Sequence, residues 1–298
     1  MKRVLWVAES AKLADLVDRL GPEAAEALAE GRLFIGRKRA RSTDELVPAG
    51  EVVVLHAPRN LTEGAFVLAE HDGIVAAFKP AGMATVPDHH GVAGSLLSVI
   101  ERASGKRLHV TSRLDVGVSG AVLFASTDEA RERLARAREQ GTYLRQYLAI
   151  ASAAPSPPQG LWNAPIGRAP NPRHRRIGGL SAKPAETRYR VIDTAPQGQA
   201  LLAVRPITGR THQIRVHAAH AGAPLLGDGV YGGPPRLVSP TGAVTRLSRI
   251  ALHCHWVEVP ATKGASLRVE APIPDDFLAI WKAVGGSDEA IERAHERW

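Results

Sequence analysis

Asp115 is the residue of this chain with the clearest capacity for chemistry. It stands in Ser112-Arg113-Leu114-Asp115-Val116-Gly117-Val118-Ser119-Gly120, directly ahead of the apolar run Ala121–Ala125. A carboxylate in a glycine-containing loop at a strand end is where folds place acids, bases and nucleophiles. It is equally where a turn aspartate bonds its own backbone. A second stretch, Thr208-Gly209-Arg210-Thr211-His212-Gln213-Ile214-Arg215-Val216-His217, is followed by Gly227-Asp228-Gly229-Val230-Tyr231-Gly232. Arg210 and Arg215 near a helix start suit a carboxylate or phosphates, and they also suit a plain solvated helix face. Two further patterns are weaker. Gly117-Val118-Ser119-Gly120-Ala121 nearly fits a nucleophile elbow, but that elbow needs a strand before the Ser and a helix after it, and here the strand-like run follows. His212, His217 and His220 on a helix, or His253 and His255 alternating on a strand, have ligand-like spacing, yet no carboxylate or Cys set completes either one in the sequence. No metal is expected.

The elements that must hold these residues follow from periodicity. Strand-like runs occur at Ile74–Phe78, Gly120–Ala125, Tyr147–Ala151, Thr187–Ile192, Ala200–Val204, Ile250–Val257 and Ser266–Val269. Helices are expected over Asp128–Glu139, opened by the capping-box pattern Ser126-Thr127-Asp128-Glu129, and over His212–Ala221. A tail helix carries Phe277, Ile280, Trp281 and Val284 on one face, and a short charged helix starts near Ser287. Strands outnumber helices without alternating with them, which predicts an α+β fold rather than a doubly wound one. The proline-broken, uncharged stretch Gln146–Gly167 reads as a strand and then a loop. Residues 1–60 form a smaller α/β unit, with helices near 10–20 and 23–30 and strands at Leu33–Ile35 and Val52–Leu55; 57–65 reads as a linker. Residues 66–285 then make the larger domain, and 286–298 a helical tail.

Composition narrows the partner. The 298 residues are 44% hydrophobic and 23% charged, which excludes a disordered chain. A single cysteine, Cys254, excludes an internal disulfide and any cysteine-rich metal cluster and fits a reducing compartment. The apolar run Val4–Ala8 is too short for a secretory core, so a cytoplasmic protein is expected. A net charge of +8 points to a polyanion. Seven basic residues (Arg168, Arg173, Arg175, Arg176, Lys183, Arg188 and Arg190) fall in a segment whose only acid is Glu186, and with Gly178-Gly179 they suit a mobile hairpin facing a polyanion better than a solubilising loop.

Taken in order, Lys79-Pro80-Ala81-Gly82, Arg113-Leu114-Asp115 with Ser119-Gly120, Tyr147-Leu148-Ala149, Gly209 to His217, Gly227-Asp228 with Tyr231-Gly232, Leu252-His253 and Pro272-Ile273-Pro274 resemble the RluA-type pseudouridine synthases over residues 66–284. The N-terminal part resembles, more weakly, an S-four-type RNA-binding module. Its second helix carries Glu23, Glu26 and Glu30, so the run Arg37–Arg41 is the better candidate for an RNA contact there. The resemblance implies a mostly antiparallel central sheet with the cleft across its middle, and isomerisation of uridine in structured RNA, ribosomal more than transfer RNA, without a cofactor. It assigns catalysis to Asp115, Tyr147 and Arg215, and RNA binding to Arg113, Arg210, His212 and Gln213, to which the basic segment adds Arg173, Arg175 and Arg176. A monomer is expected. Two positions depart from the family: Ser112 where it has His, and Val118 where it has Thr. The alternative reading is a non-catalytic RNA-binding protein on the same fold.

Overall fold

Seven consecutive buried residues, Ser119–Ala125, form the strand beside the Asp115 loop. In the computed structural model the described residues are 3–29, 33–36, 38–55, 64–87, 94–238, 244–262 and 266–296. They divide into two units, one of residues 1–65 and 83–105, the other of residues 66–82 and 106–298. Nothing in the hydrophobic pattern signals the excursion at 83–105. The linker read at 57–65 falls largely outside the described residues.

The first unit has a four-stranded antiparallel sheet in the order Arg3–Trp6, Val52–Leu55, Leu33–Ile35, Lys38–Arg39. Helices Leu13–Leu20 and Ala24–Ala29 share a core of Leu13, Leu16, Leu20, Ala24, Ala27 and Leu33. The run that begins at Val4 is therefore part of a strand.

The second unit is built on one large sheet. Its strands are β1 (Phe66–His71), β2 (Ile74–Lys79), β3 (Ser119–Ala125), β4 (Leu144–Ala151), β5 (Gln159–Trp162), β6 (Thr187–Thr194), β7 (Ala200–Pro206), β8 (Leu252–Val259) and β9 (Leu267–Glu270). They lie in the order β5-β6-β7-β4-β8-β3-β2-β1, with β9 also on β8 and a tenth, two-residue strand, His109–Val110, also on β3. Only β3 and β8 run parallel; the other pairings are antiparallel. Gly120 makes that parallel contact possible. Its φ is +122°, and a Cβ there would stand 2.2 Å from the Cys254 carbonyl oxygen, so no side chain is tolerated.

Helix α1 (Asp128–Glu139) buries Ala130, Leu134 and Ala137, spaced to face the core with Ile74, Leu123 and Tyr147. Its N-cap is Thr127, whose hydroxyl accepts from the Ala130 amide at 3.2 Å, one residue later than the capping-box reading places it. Helix α2 is Gln213–His220. Helices α3 (Asp275–Ala283) and α4 (Asp288–Arg293) supply Phe277, Ile280, Trp281 and Ala290 to a second core with Leu148 and Ile150. Each large apolar side chain enclosed in these cores contributes about 1.5–3 kcal/mol.

The stretch read as strand then loop holds two further strands, β5 and Ile166–Arg168. The latter is the centre of a small sheet with Arg175–Ile177 and Leu180–Lys183. The glycines there serve close packing: a Cβ on Gly179 would stand 2.4 Å from the Arg168 carbonyl oxygen. No helix among the described residues is long and apolar enough to cross a membrane.

Candidate active site

The Asp115 loop is fixed at both ends. The Val118 amide donates to the Asp115 carbonyl at 3.0 Å, closing a turn, and the Ile250 amide donates to Gly117 at 3.2 Å. The next carbonyl, Val116, accepts from the Gly82 amide at 2.7 Å and from Lys79 Nζ at 3.3 Å. Lys79 is fully buried at the end of β2, and its ammonium also donates to Pro80 at 3.0 Å. Burial, with Arg249 adding and Asp115 opposing, presses its pKa down to about 7. The motif Lys79-Pro80-Ala81-Gly82 thus supports the loop that carries Asp115.

Arg215 reaches Asp115 from α2. Its Nη1 donates to Asp115 Oδ2 at 2.8 Å, while its Nε and Nη2 grip Asp228 in a two-pronged pair at 2.7 and 2.8 Å. Burial works against the guanidinium charge, but the bonds to Asp228 and Asp115 outweigh it and hold its pKa above the ordinary arginine value. The Tyr231 ring lies under the guanidinium, 4.9 Å from centroid to Cζ. Asp228 is 1% exposed against 28% for the Asp115 side chain, so the first carboxylate anchors and the second faces the cleft.

His212 caps α2 in the left-handed region, φ +57°, which is strained for a non-glycine residue. That backbone puts Nε2 at 3.8 Å from Asp115 Oδ2 and Nδ1 at 2.7 Å from the Tyr231 hydroxyl. Burial, only partly offset by Asp115, lowers the His212 pKa.

These groups open onto a cleft of about 620 Å³. Arg113, Asp115, Tyr147, Arg210, His212, Gln213 and Arg215 all line it, with Arg138 and Arg145 adding positive charge. Tyr147 is 6% exposed, and burial pushes its phenol pKa well above the ordinary value, so it is neutral near pH 7. Arg113 stands exposed in the loop.

Gln213 has no polar atom left for a ligand. Its oxygen accepts from Thr208 Oγ1 at 2.7 Å and the Arg210 amide at 2.9 Å; its nitrogen donates to the Glu186 carbonyl at 2.8 Å and Thr187 Oγ1 at 2.9 Å. It positions the 208–213 turn. Arg210 Nε donates to Pro184 at 2.9 Å.

Arg173, Arg175 and Arg176 do not line the cleft. They belong to the small sheet and the turn before it, with Arg173 and Arg176 exposed. The link runs through Tyr231, whose hydroxyl meets His212 and accepts from the Arg175 amide at 3.0 Å.

The two departures are accommodated locally. Ser112 Oγ donates to the Leu123 carbonyl at 3.4 Å and lies 3.4 Å from the Tyr143 hydroxyl, while Val118 is packed in the core, where no hydroxyl is needed. Ser119, the residue of the apparent elbow, does face a histidine: its Oγ is 2.8 Å from His253 Nδ1 and accepts from Arg249 Nη2 at 2.6 Å. Both Ser119 and His253 are fully enclosed, so this pair is a structural bond across β3 and β8. Asp228 and Tyr231 were visible in sequence only as parts of a glycine-rich motif; their roles depend on contacts the spacing does not encode.

Comparison with known proteins places this geometry. A family model described as RNA pseudouridylate synthase matches residues 73–220. The ribosomal large subunit pseudouridine synthase D of Pseudomonas aeruginosa is 32% identical over 282 residues, 88% of this chain and 87% of that protein. Its counterpart in Nitrosomonas europaea is 38% identical over 224 residues, 73% of this chain and 64% of that protein. The dual-specificity RNA pseudouridine synthase RluA of Escherichia coli is 33% identical over 215 residues, 69% of this chain and 92% of that protein. Among solved structures, human RNA pseudouridylate synthase domain containing 4 shares the fold, with TM-score 0.60 at 23% identity over 76% of this chain and 94% of that chain.

Proposed function

The chain belongs to the RluA-type family of RNA pseudouridine synthases, and from that premise we propose that it converts uridine in ribosomal RNA to pseudouridine with Asp115 as the catalytic carboxylate. The reaction is an isomerisation. The bond from ribose C1′ to base N1 breaks, the base turns, a bond from C1′ to C5 forms, and the C5 hydrogen is lost while N1 gains one. No oxidant or group donor enters. The protein must supply an ionised carboxylate beside the sugar and base, acting as nucleophile or base, and an enclosed place for the uracil.

One observation carries the reading: Arg215, clamped by Asp228, presents its remaining nitrogen to Asp115 at the floor of a cleft lined by Tyr147. The fixed guanidinium holds the carboxylate aimed into the cleft. Tyr147 offers a ring for the uracil face and a neutral hydroxyl near the C5 proton. A uridine in folded RNA must leave its stack to enter, and Arg113 at the cleft edge is placed to fill the gap or hold a phosphate. The small sheet with Arg173, Arg175 and Arg176 grips backbone beyond the cleft. The first unit acts as an accessory RNA-binding module. Its helix Ala24–Ala29 carries Glu26 in its first turn and no base in its last, so the run Arg37–Arg41, in which Lys38 and Arg41 are exposed and Arg37 lies outside the described residues, is its proposed contact. The protein works as a monomer in the cytoplasm.

The test is tritium release from RNA carrying [5-³H]uridine. Asp115→Asn keeps the size and loses the charge, so release should fall more than about 10³-fold with RNA binding retained. Near-wild-type release would overturn Asp115 as the catalytic group. Absence of release by the wild type on every ribosomal RNA fragment would favour the binding-only alternative.

A further inference from the structure

On the face of β8 opposite Cys254, three residues remote in sequence converge. His255 is on β8, Glu270 ends β9, and His295 lies two residues beyond α4. One potential ligand atom from each falls within 4.8 Å of the others. We propose that His255, Glu270 and His295 form a divalent transition-metal site, with zinc the chemical match, that fastens the segment after α4 to the central sheet.

The geometry is close to ligation already. His255 Nε2 and His295 Nδ1 are 3.1 Å apart. Two imidazole nitrogens bound to one zinc ion at about 2.0–2.1 Å in a tetrahedral arrangement stand about 3.3 Å apart. The contrast with other buried histidines matters. His217 places its nitrogens 2.9 Å from Thr187 Oγ1 and from the Ala164 carbonyl. His253 places its nitrogens against Ser119 Oγ and the Ala271 carbonyl. His255 differs: its Nε2 meets the His295 imidazole with the Glu270 carboxylate close by, and its Nδ1 is buried with no hydrogen-bond partner among the described residues. Two nitrogens facing each other with a carboxylate alongside make a donor set chosen by zinc, copper or nickel over magnesium or calcium.

The supports are rigid. Arg268 Nε and Nη2 both bond Glu270 Oε1, at 2.9 and 2.7 Å, which orients the carboxylate as outer hydrogen bonds do in metal sites. His295 follows a packed segment: Ala290 and Ala294 are buried in the second core, and the Ala294 carbonyl accepts from Gln146 Nε2 at 3.3 Å. Glu270 and His295 are exposed, so an ion can enter and a water can take the fourth position. The sequence hides this site because spacing shows only His253 and His255, while the completing groups arrive from another strand and a terminal helix.

The experiment uses the full chain stripped by chelator and titrated with Zn²⁺ by calorimetry, and with Co²⁺ as an absorbance probe. The wild type should bind one Zn²⁺ per chain, give the intense visible bands of four-coordinate Co²⁺, and gain roughly 5 °C in unfolding midpoint at Zn²⁺ one hundred times Kd. His295→Gln, at an exposed position that does not threaten folding, should weaken binding at least about 100-fold, beyond the 10–100-fold cost of losing a residue that merely supports a ligand. Glu270→Gln should weaken it in the same direction. His220→Gln, an exposed histidine elsewhere, should change nothing. Absence of saturable binding, equal affinity in His295→Gln and wild type, or only the faint spectrum of six-coordinate Co²⁺ would each overturn the site. None of these readouts depends on RNA turnover, so the assignment of Asp115 stands or falls separately.

Discussion

Arginines dominate two parts of the larger unit and are held in opposite ways. In the cleft, Arg215 is 6% exposed, and all three of its nitrogens donate to carboxylates, two to Asp228 and one to Asp115. In the small sheet, Arg173 and Arg176 are exposed, and no ion pair among the described residues involves Arg173, Arg175 or Arg176. Removing a partner from a buried pair costs about 3–5 kcal/mol, whereas an exposed pair contributes about 0–1 kcal/mol. The cleft therefore spends folding energy to hold one guanidinium still, as orienting a reacting carboxylate requires. The small sheet leaves Arg173 and Arg176 exposed to follow an irregular phosphate chain, and holds Arg175 through bonds from its Nη1 to the Pro172 and His174 carbonyls, with no carboxylate among the described residues.

The contrast breaks first at the clamp. Asp228→Asn leaves the shape of the pair and removes its charge. Turnover should fall about 10³-fold, on the scale of losing a preorganised electrostatic contact, with stability reduced by about 3 kcal/mol. Arg215→Lys should be as poor, because an ammonium cannot hold both carboxylates in a planar fork. Single-turnover rates and urea unfolding check both; full activity in Arg215→Lys would show that charge alone suffices. Tyr147→Phe comes next. It should bind RNA normally and turn over about 10²-fold more slowly if the hydroxyl handles the C5 proton. Equal rates would confine Tyr147 to stacking.

The two regions also differ in what could be read without coordinates. The Asp115 loop is legible as a candidate because its pattern is local (a lone acid, a turn glycine and then Gly120, which the backbone contact with Cys254 demands), but a turn aspartate reads the same way and only the family resemblance chooses between them. The partner of that contact is 134 positions away, and no periodicity reveals that β3 pairs with β8 in parallel. Asp228 was visible as a motif letter, but its grip on Arg215 depends on how the chain returns after α2. β5 was lost among prolines because it is short and mostly exposed, so it has no apolar alternation to read. Gln213 is an RNA contact by the resemblance alone, and its sequence position says nothing of the four bonds that commit its amide within the protein.

Lys79 gives a smaller effect with a definite sign. Burial takes its pKa from 10.5 to about 7 in the folded chain. Between those values the unfolded chain keeps a proton that the folded chain has released. The unfolded state therefore binds more protons, and stability rises with pH across this window, by up to about 1.4 kcal/mol per pH unit. Below pH 7 both states hold the proton and the dependence from this group vanishes. Lys79→Met should flatten the rise. Urea unfolding of both proteins at pH 7, 8 and 9 is the measurement, and parallel curves would exclude Lys79 as its source.

The smallest effect on catalysis, and the sharpest test of the comparison, lies in the small sheet. Each phosphate contact to single-stranded RNA contributes about −0.7 to the slope of log affinity against log salt. If Arg173, Arg175 and Arg176 each neutralise a phosphate, replacing all three by Ala should flatten the slope by about 2 units. Affinity should fall alike for correct and incorrect RNA, because phosphates carry no sequence. Arg175 also supplies the backbone amide that meets the Tyr231 hydroxyl, and a side-chain replacement leaves that bond in place. The rate at saturating RNA should therefore hold, since Asp115, Tyr147, Arg215 and His212 are untouched. An unchanged slope would reduce the small sheet to a solvated arm. A collapsed saturating rate would mean instead that its arginines help set His212 through Tyr231, and the division between fixed and free charge would have to be redrawn there.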